Sequence, residues 1–145
     1  MSEEKKFEFP DITTSDSAFT AYGKSLNDVF CNAALALFET ITNTKEIEAK
    51  EKRKIEVSGY DLKSLMYAWL SELLFISSSE HFVFSKFEVD IKKEGENFLL
   101  NGECLGEKID MKKHEIKTEV KAITYHKMEI KEKDNMWKAQ VIVDI

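Results

Sequence analysis

The chain of 145 residues is poor in the residues and motifs that most often build reactive sites. It has five glycines, too few for a glycine-rich phosphate cradle. None of the patterns G-x-x-x-x-G-K-[ST], G-x-G-x-x-G, H-E-x-x-H or G-x-S-x-G occurs. Serine, histidine and aspartate are present, but no spacing singles out a triad. The sequence therefore offers no positive case for an enzyme.

Cysteine and histidine are also scarce. The two cysteines, Cys31 and Cys104, lack C-x-x-C spacing and are expected to be reduced intracellular thiols that fill space. His126 lies on the apolar face of a predicted strand and is expected to be a hydrogen-bonded core residue, whereas His81 and His114 are expected to be exposed. Without a second histidine or a cysteine nearby, a zinc site is not expected.

Long apolar runs and a positive net charge are missing as well. No run approaches the roughly 18–20 apolar residues that span a bilayer, and the opening MSEEKK does not resemble a secretion signal. The net charge of −6 argues against direct nucleic-acid binding, since phosphate contacts need a positive surface. We expect a soluble, cytoplasmic protein of one domain over residues 1–145, with residues 1–6 as a solvated tail.

Two wide apolar faces at helical spacing are the clearest positive signal. Within residues 61–77 the apolar side chains recur at i, i+3, i+4, i+7 and i+8, around Trp69, and Asp61 can cap the first turn. A second amphipathic helix is predicted to begin at Ser25, with Asp28 completing a variant of the capping box. Each face needs another layer to cover it.

Alternating apolar residues predict strands around these helices. Strands are expected at residues 7–9 and 18–22, on either side of a polar loop at 11–17. Another, long and charged, is expected from residue 45 to 57. A hairpin follows at 82–92 and 98–105, with a change of parity between Phe84 and Phe87 that indicates a bulge and a turn at 94–97. Residues 106–113 are predicted to form a polar loop.

The last 30 residues predict a second hairpin. A two-residue turn at Asp134 and Asn135 would pair Met128 with Val141 and His126 with Val143. In that register Asp144 lies opposite Tyr125, and about 13 Å from Lys121. Because no regular βαβ alternation occurs, we expect an α+β two-layer sandwich, with one mostly antiparallel sheet and both helices packed on one face.

The chain end carries a candidate cation site. Asp144 and the terminal carboxylate of Ile145, with Asp16 if its strand lies alongside, would make a cluster of hard oxygens suited to Ca²⁺ or Mg²⁺. From spacing alone, ordinary solvated charges are the stronger interpretation.

The chain resembles the archease family along nearly its whole length. The matching segments are AYGKSLNDVFCNAALALF (residues 21–38), WLSELLFISSSEHFVFSKFEV (69–89), EVKAITYH (119–126) and WKAQVIVDI (137–145). Archeases activate the RtcB-type tRNA-splicing RNA ligase. The resemblance thus implies a non-catalytic protein cofactor that promotes guanylylation and multiple turnover of that ligase, and that reaches tRNA only through it.

The resemblance also implies site residues. A divalent cation, calcium with magnesium or another ion as alternatives, would be held by Asp16, Asp144 and Ile145, and Lys121 matches the family's functional lysine. The family's Asp-His-Thr-Ala-Asp motif falls on residues 12–16, where only Thr14 and Asp16 match. Ile12 and Thr13 replace its aspartate and histidine, although Asp11 lies one place earlier, so Asp16 is the ligand expected from this loop.

Two other functions stay open on the residues alone. A wide helix face left exposed would suit a chaperone-like module that binds client proteins, among them nucleic-acid-processing proteins. Two-layer packing should bury both faces, which favours ligase activation. A metal-dependent hydrolase of nucleic acid is least favoured, because it needs a second metal or a positioned base and an acidic surface repels the substrate.

Overall fold

The computed structural model describes residues 5–10 and 16–145, with the backbone alone for Asp16. Within these residues the chain forms two α-helices and eight strands. In chain order they are β1 (Phe7–Glu8), β2 (Asp16–Gly23), α1 (Leu26–Ile41), β3 (Glu51–Gly59), α2 (Leu62–Glu80), β4 (Phe82–Glu94), β5 (Asn97–Lys108), β6 (Ala122–Ile123), β7 (Glu129–Lys133) and β8 (Met136–Asp144). The strand pairs are antiparallel.

The strands form two sheets where one was expected. The larger has the order β1-β2-β8-β6, with β7 also paired to β8, and the smaller has the order β3-β5-β4. The α+β class, the antiparallel pairing and the two helices are confirmed. The single sheet is wrong because alternation along the chain marks strands without telling which of them pair.

Both helices begin where their caps predict. The Ser25 Oγ accepts a hydrogen bond from the Asp28 N–H at 3.1 Å. Asp61 forms a full capping box: its carboxylate accepts from the Ser64 N–H at 2.7 Å, and its own N–H donates to the Ser64 Oγ at 3.1 Å. Helix α2 ends at His81, whose φ of 53° is left-handed. No helix in residues 5–10 and 16–145 is long and apolar enough to cross a membrane.

The core lies between the helices and the two sheets, and Trp69 joins three of its parts. Its side chain on α2 is fully buried, and its Nε1–H donates to the Phe30 carbonyl of α1 at 3.0 Å. Its ring also lies against Gly102 of β5, where an added Cβ would be 3.1 Å from the ring. Both wide helix faces are therefore covered, as two-layer packing requires.

The charged segment 45–57 is only partly a strand, which corrects the prediction. A 3-10 helix occupies Thr44–Glu46 and β3 begins at Glu51. The side chain of Asn43 accepts from the Lys45 N–H at 3.1 Å, so a polar side chain diverts the backbone from extended pairing. Of the alternating residues, Ile47 and Ile55 are buried whereas Ala49 is exposed.

The hairpin at residues 82–105 is confirmed and is longer than predicted. The bulge lies between Phe84 and Lys86, and Gly95 turns with a φ of 63°. Strand β5 continues to Lys108, so residues 106–108 do not belong to a loop as expected. The reason is that β5 is central and pairs with both β3 and β4, and Gly106 admits the Val83 carbonyl 1.9 Å from where a Cβ would be.

The N-terminal predictions are tested only in part. Strand β1 confirms the predicted first strand, and Lys5 and Lys6 before it are exposed. The rest of the predicted tail (1–4) and most of the predicted polar loop (11–15) lie outside the described residues. Asp16 and Ser17, predicted as loop, belong to β2 instead, because β2 pairs with β8 as far as Asp16.

Truncation of Trp69 tests this packing. We expect Trp69→Ala to lower the free energy of unfolding by roughly 3–5 kcal/mol, the usual cost of removing a large buried aromatic. Phe75→Ala, at an exposed position of the same helix, should change it by at most about 0.5 kcal/mol. Urea unfolding measures both. An unchanged midpoint in Trp69→Ala would contradict the central place of Trp69.

Candidate functional site at the end of strand β8

Strand β8 brings two distant parts of the chain to its last residues. Asp16 of β2 is paired with Asp144 on one side, and Ala122 of β6 is paired with Asp144 on the other. One step inward, Val143 and Ile123 are buried. Asp144 is exposed, so its carboxylate faces solvent at the rim of an apolar layer.

Lys121 lies directly beside Asp144. Its backbone N–H donates to the Asp144 carbonyl at 2.7 Å, while the residue as a whole is exposed. The predicted separation of about 13 Å is therefore wrong, and so is the predicted pairing of Asp144 with Tyr125. Lys121 and the chain-end aspartate therefore lie next to each other at this end of the sheet.

A three-residue offset causes this difference. The hairpin of β7 and β8 has the predicted register, with left-handed Asp134 and Asn135 at its turn. Continued, that register would place His126 opposite Val143, but Ile123 occupies that position, three residues earlier.

A turn inserted between β6 and β7 takes up the extra residues. The Met128 N–H donates to the Tyr125 carbonyl at 3.1 Å, and Lys127 has a φ of 52°. Thr124 fixes the start of the turn, since both its N–H and its hydroxyl donate to the Ile142 carbonyl. His126 lies in this turn and is exposed, so its predicted place in the core is wrong.

The oxygen atoms at this site are of the kind that binds a hard cation, but they are few. Carboxylate and main-chain oxygens are the ligands that Ca²⁺ and Mg²⁺ prefer. Asp144 is exposed and supplies one carboxylate, whereas the Asp16 side chain lies outside the part of the chain that the structure describes. Among the side chains of residues 5–10 and 17–145, no group of three His, Cys, Asp or Glu is close enough to hold a metal ion. A cation here would depend on Asp16 and on main-chain oxygens.

A buried polar cluster around Glu107 and His114 was not predicted. His114 is fully buried, which corrects its expected exposure, and its Nε2 lies 3.0 Å from Glu107 Oε2 and 3.1 Å from the Glu46 carbonyl. Its Nδ1 accepts from the Asp110 N–H at 2.9 Å, so the ring proton is on Nε2 and donates to these oxygens. The Lys113 Nζ donates to the same Glu107 oxygen at 2.7 Å.

This cluster is a clamp between segments. Glu107 also accepts from the Glu48 N–H at 2.7 Å, so one carboxylate ties β5 to the chain before β3 and to the loop after β5. Glu107 lies on the same face of β5 as the exposed Asn101. It is buried because the loop after β5 folds back over it. Burial would raise the pKa of Glu107, but the donors Lys113, Glu48 and His114 outweigh it and lower that pKa to about 2.

Cys31 and Cys104 are free thiols, as predicted. Burial raises the pKa of Cys31 to about 11 and that of Cys104 to about 12. Both therefore remain protonated at neutral pH and are poor nucleophiles.

Known proteins place the chain in a family. The Archease protein family (MTH1598/TM1083) matches residues 7–145. Protein archease of Methanothermobacter thermautotrophicus is 48% identical over 141 residues, covering 97% of this chain and 99% of the relative. Protein archease of Sulfurisphaera tokodaii is 46% identical over 141 residues, with the same coverage. The fold and site are those of an α+β protein without a recognisable catalytic motif, and the chain belongs to the archease family.

Solved structures agree. The solution structure of Methanobacterium thermoautotrophicum protein 1598 has a TM-score of 0.86 at 48% identity, over 97% of this chain and 99% of the other. A crystal structure from Thermotoga maritima, described as an archease and possible chaperone, has a TM-score of 0.56 at 18% identity over all of both chains. The second likeness concerns the fold alone.

The Glu107 clamp gives a prediction with a defined pH dependence. We expect Glu107→Gln to lower the free energy of unfolding at neutral pH by about 1–3 kcal/mol, because charge-assisted hydrogen bonds are lost. The folded pKa of about 2 lies below the ordinary 4.5, so the contribution is present above pH 4.5 and is lost as pH falls toward 2. Urea unfolding across that range should show the two proteins converging.

Glu103→Gln is the matched control. Glu103 lies on the same strand in a solvent-exposed pair with Lys52 at 3.4 Å, so its loss should change the free energy of unfolding by at most about 1 kcal/mol. A deficit of Glu107→Gln that stays constant as pH falls would show that the Glu107 charge does not provide the stabilisation.

Proposed function

We propose that this protein is a non-catalytic cofactor of an RtcB-type tRNA-splicing RNA ligase, which it activates by promoting guanylylation of the ligase and its multiple turnover. The observation that carries the proposal is the meeting of Lys121 and Asp144 at one exposed sheet end. The resemblance assigns a role to both residues, although Lys121 precedes β6 and Asp144 ends β8, more than 20 positions later. The protein itself would contact tRNA only indirectly, through the ligase.

The same site is proposed to hold a divalent cation, calcium first and magnesium as the alternative. Asp16, Asp144 and main-chain oxygens of Ile145 would be its ligands. Ca²⁺ takes about 6–8 oxygens, so this set leaves positions for water or for groups of the ligase. Binding to the protein alone should therefore be weak. When bound, the ion would neutralise the carboxylates and offer open positions to oxygen ligands.

Lys121 would then supply a positive charge that binds an anionic group of the ligase. Within the described residues Lys121 has no ion-pair partner, and its backbone is fixed by the bond to Asp144. A long, exposed ammonium on a fixed backbone can reach an anionic group of the ligase without moving the sheet.

A chaperone-like activity has less support. It would need a wide apolar helix face in contact with solvent. The apolar faces of α1 and α2 are buried instead, with Phe30, Leu37, Leu65 and Trp69 all at 0% exposure. The words "possible chaperone" belong to the Thermotoga protein, which shares the fold at 18% identity.

The chain end gives the first functional prediction. Asp144→Asn, and separately an amide-linked extension past Ile145, should weaken calcium binding and ligase activation together, while thermal stability stays near wild type. Asp134→Asn removes an equal charge at the far end of the β8 hairpin and should change neither. Calorimetric calcium titration and a multiple-turnover ligation assay measure the two effects. Equal calcium binding by all variants would show that the cation lies elsewhere.

Lys121 gives the second. Lys121→Ala should reduce ligase activation at least tenfold, because its charge is lost, without changing the urea midpoint. Lys133→Ala is the control, since Lys133 is an exposed lysine beside Met136, about 26 Å along β8 from Asp144. Single-turnover and multiple-turnover ligation with and without each variant should be compared. Full activation by Lys121→Ala would make it an ordinary surface lysine.

A further inference from the structure

Three of the four tyrosines gather at one place on the surface. Tyr60 precedes the cap of α2, Tyr67 lies on α2, and Tyr125 lies in the turn between β6 and β7. The rings of Tyr67 and Tyr125 stack with centroids 4.4 Å apart and an interplanar angle of 9°. Tyr60 is 73% exposed and Tyr125 is 50% exposed. We call Tyr60, Tyr67, Tyr125 and Asp61 the tyrosine patch.

The Tyr67–Tyr125 pair of the patch is fixed by contacts within the protein. The Tyr125 carbonyl accepts from the Met128 N–H, and Thr124 before it is bonded twice to Ile142. Tyr67 packs against the core. Stacking on Tyr67 fixes one face of the Tyr125 ring, so an exposed aromatic surface is presented with little conformational entropy left to lose. Tyrosines in this state are common anchors of protein interfaces.

The patch adjoins the site at the end of β8. Tyr125 is three residues after Ala122, which pairs with Asp144, and one residue after Thr124, which is bonded to the Ile142 carbonyl. A partner that covers Lys121 and Asp144 therefore reaches the turn that carries Tyr125. The patch and the end of β8 are therefore close enough along β6 for a single protein to contact both.

The chemistry of the patch suits an arginine. A guanidinium stacks on an aromatic face and donates hydrogen bonds from its edge to a carboxylate. Asp61 supplies the carboxylate, with Oδ1 taken by the Ser64 N–H. Both Asp61 and Tyr60 act electrostatically on the Tyr125 hydroxyl, whose pKa is raised by partial burial and by these neighbours and Tyr67. A nucleic-acid strand suits it less, since Asp61 and Asp144 would repel phosphate.

The chain already contains such an arrangement inside one molecule. The Arg53 guanidinium lies 4.3 Å from the centroid of the Phe82 ring, and its Nη2 donates to Glu80 at 2.9 Å. Ring and carboxylate together hold this arginine in place. The tyrosine patch offers the same two groups, with the arginine still to be supplied from outside.

We propose that the tyrosine patch is a docking surface for an arginine side chain of the RNA ligase, contacted together with Lys121 and Asp144. This inference rests on the proposed function, because the ligase is the partner named there. It adds the surface, the residues and the chemistry by which the ligase is held.

Direct binding of the purified ligase to full-length variants tests the inference. Tyr125→Ala and Tyr60→Ala should each weaken the equilibrium affinity at least tenfold, through faster dissociation. Phe75→Ala is the matched control. It removes an exposed aromatic (64%) from α2, outside the patch, and should bind as wild type does. Tyr60→Ala removes no stacked ring, so it stays informative if Tyr125→Ala disturbs the turn.

Asp61→Asn tests the charge. Asparagine caps a helix about as well as aspartate, so α2 should remain intact. Affinity should fall about tenfold in low salt, and less in high salt, where screening already weakens the pair. If Tyr125→Ala weakens binding while Asp61→Asn does not, an arginine is not the group that the patch binds. If both tyrosine variants bind the ligase as tightly as wild type does, the patch is not a docking surface.

Two further outcomes separate the inference from the function on which it rests. If the wild-type protein activates the ligase and the tyrosine variants bind the ligase as tightly as wild type does, the proposed function stands and the patch alone is overturned. Absence of ligase binding and activation by the wild-type protein would overturn both. Tight binding of a fluorescent single-stranded RNA, lost in Tyr125→Ala, would assign the patch to base stacking and overturn the ligase contact.

Discussion

The pairing of strand β8 with its neighbours holds the larger sheet together. The strand pairs with β2 along one edge and with β6 and β7 along the other, so its register fixes where three other strands lie. Ala139, Val141 and Val143 point into the core, and a slip by one residue would expose all three. Their burial therefore also fixes Asp144 at the rim, opposite Asp16 and beside Lys121. A site made from three remote segments thus follows from the packing of one apolar strand.

Local signals in the sequence predicted the local structure well. Ser25 and Asp61 cap helices because their oxygens accept from backbone N–H groups within three residues. The bulge near Phe84 and the left-handed pair Asp134 and Asn135 depend equally on neighbours in the chain. The resemblance to archeases supplied the candidate role of Lys121, whereas the residues of the chain end already suggested Asp144 as a cation ligand. Geometry alone had placed these two residues apart.

Long-range features could not be predicted, for identifiable physical reasons. The offset of β6 needs a turn at Lys127, a residue with no β-turn preference of the kind glycine or asparagine has. The partition into two sheets depends on pairing partners rather than on alternation. Glu107 and His114 lie in segments whose polarity indicates exposure. Each is buried because the other, together with Lys113, Asp110 and the main chain at residues 46–48, satisfies its polar atoms. Such reciprocal burial leaves no trace in periodicity.

We propose that the cation and the partner meet at the end of β8. An NMR titration of the ¹⁵N-labelled protein with calcium tests it most directly, because each amide reports its own surroundings. We expect the largest shifts at Ser17, Lys121, Asp144 and Ile145, with little change at Glu56, Glu88 and Glu103 on the three-stranded sheet. Largest shifts on that acidic sheet, with the end of β8 unmoved, would contradict it.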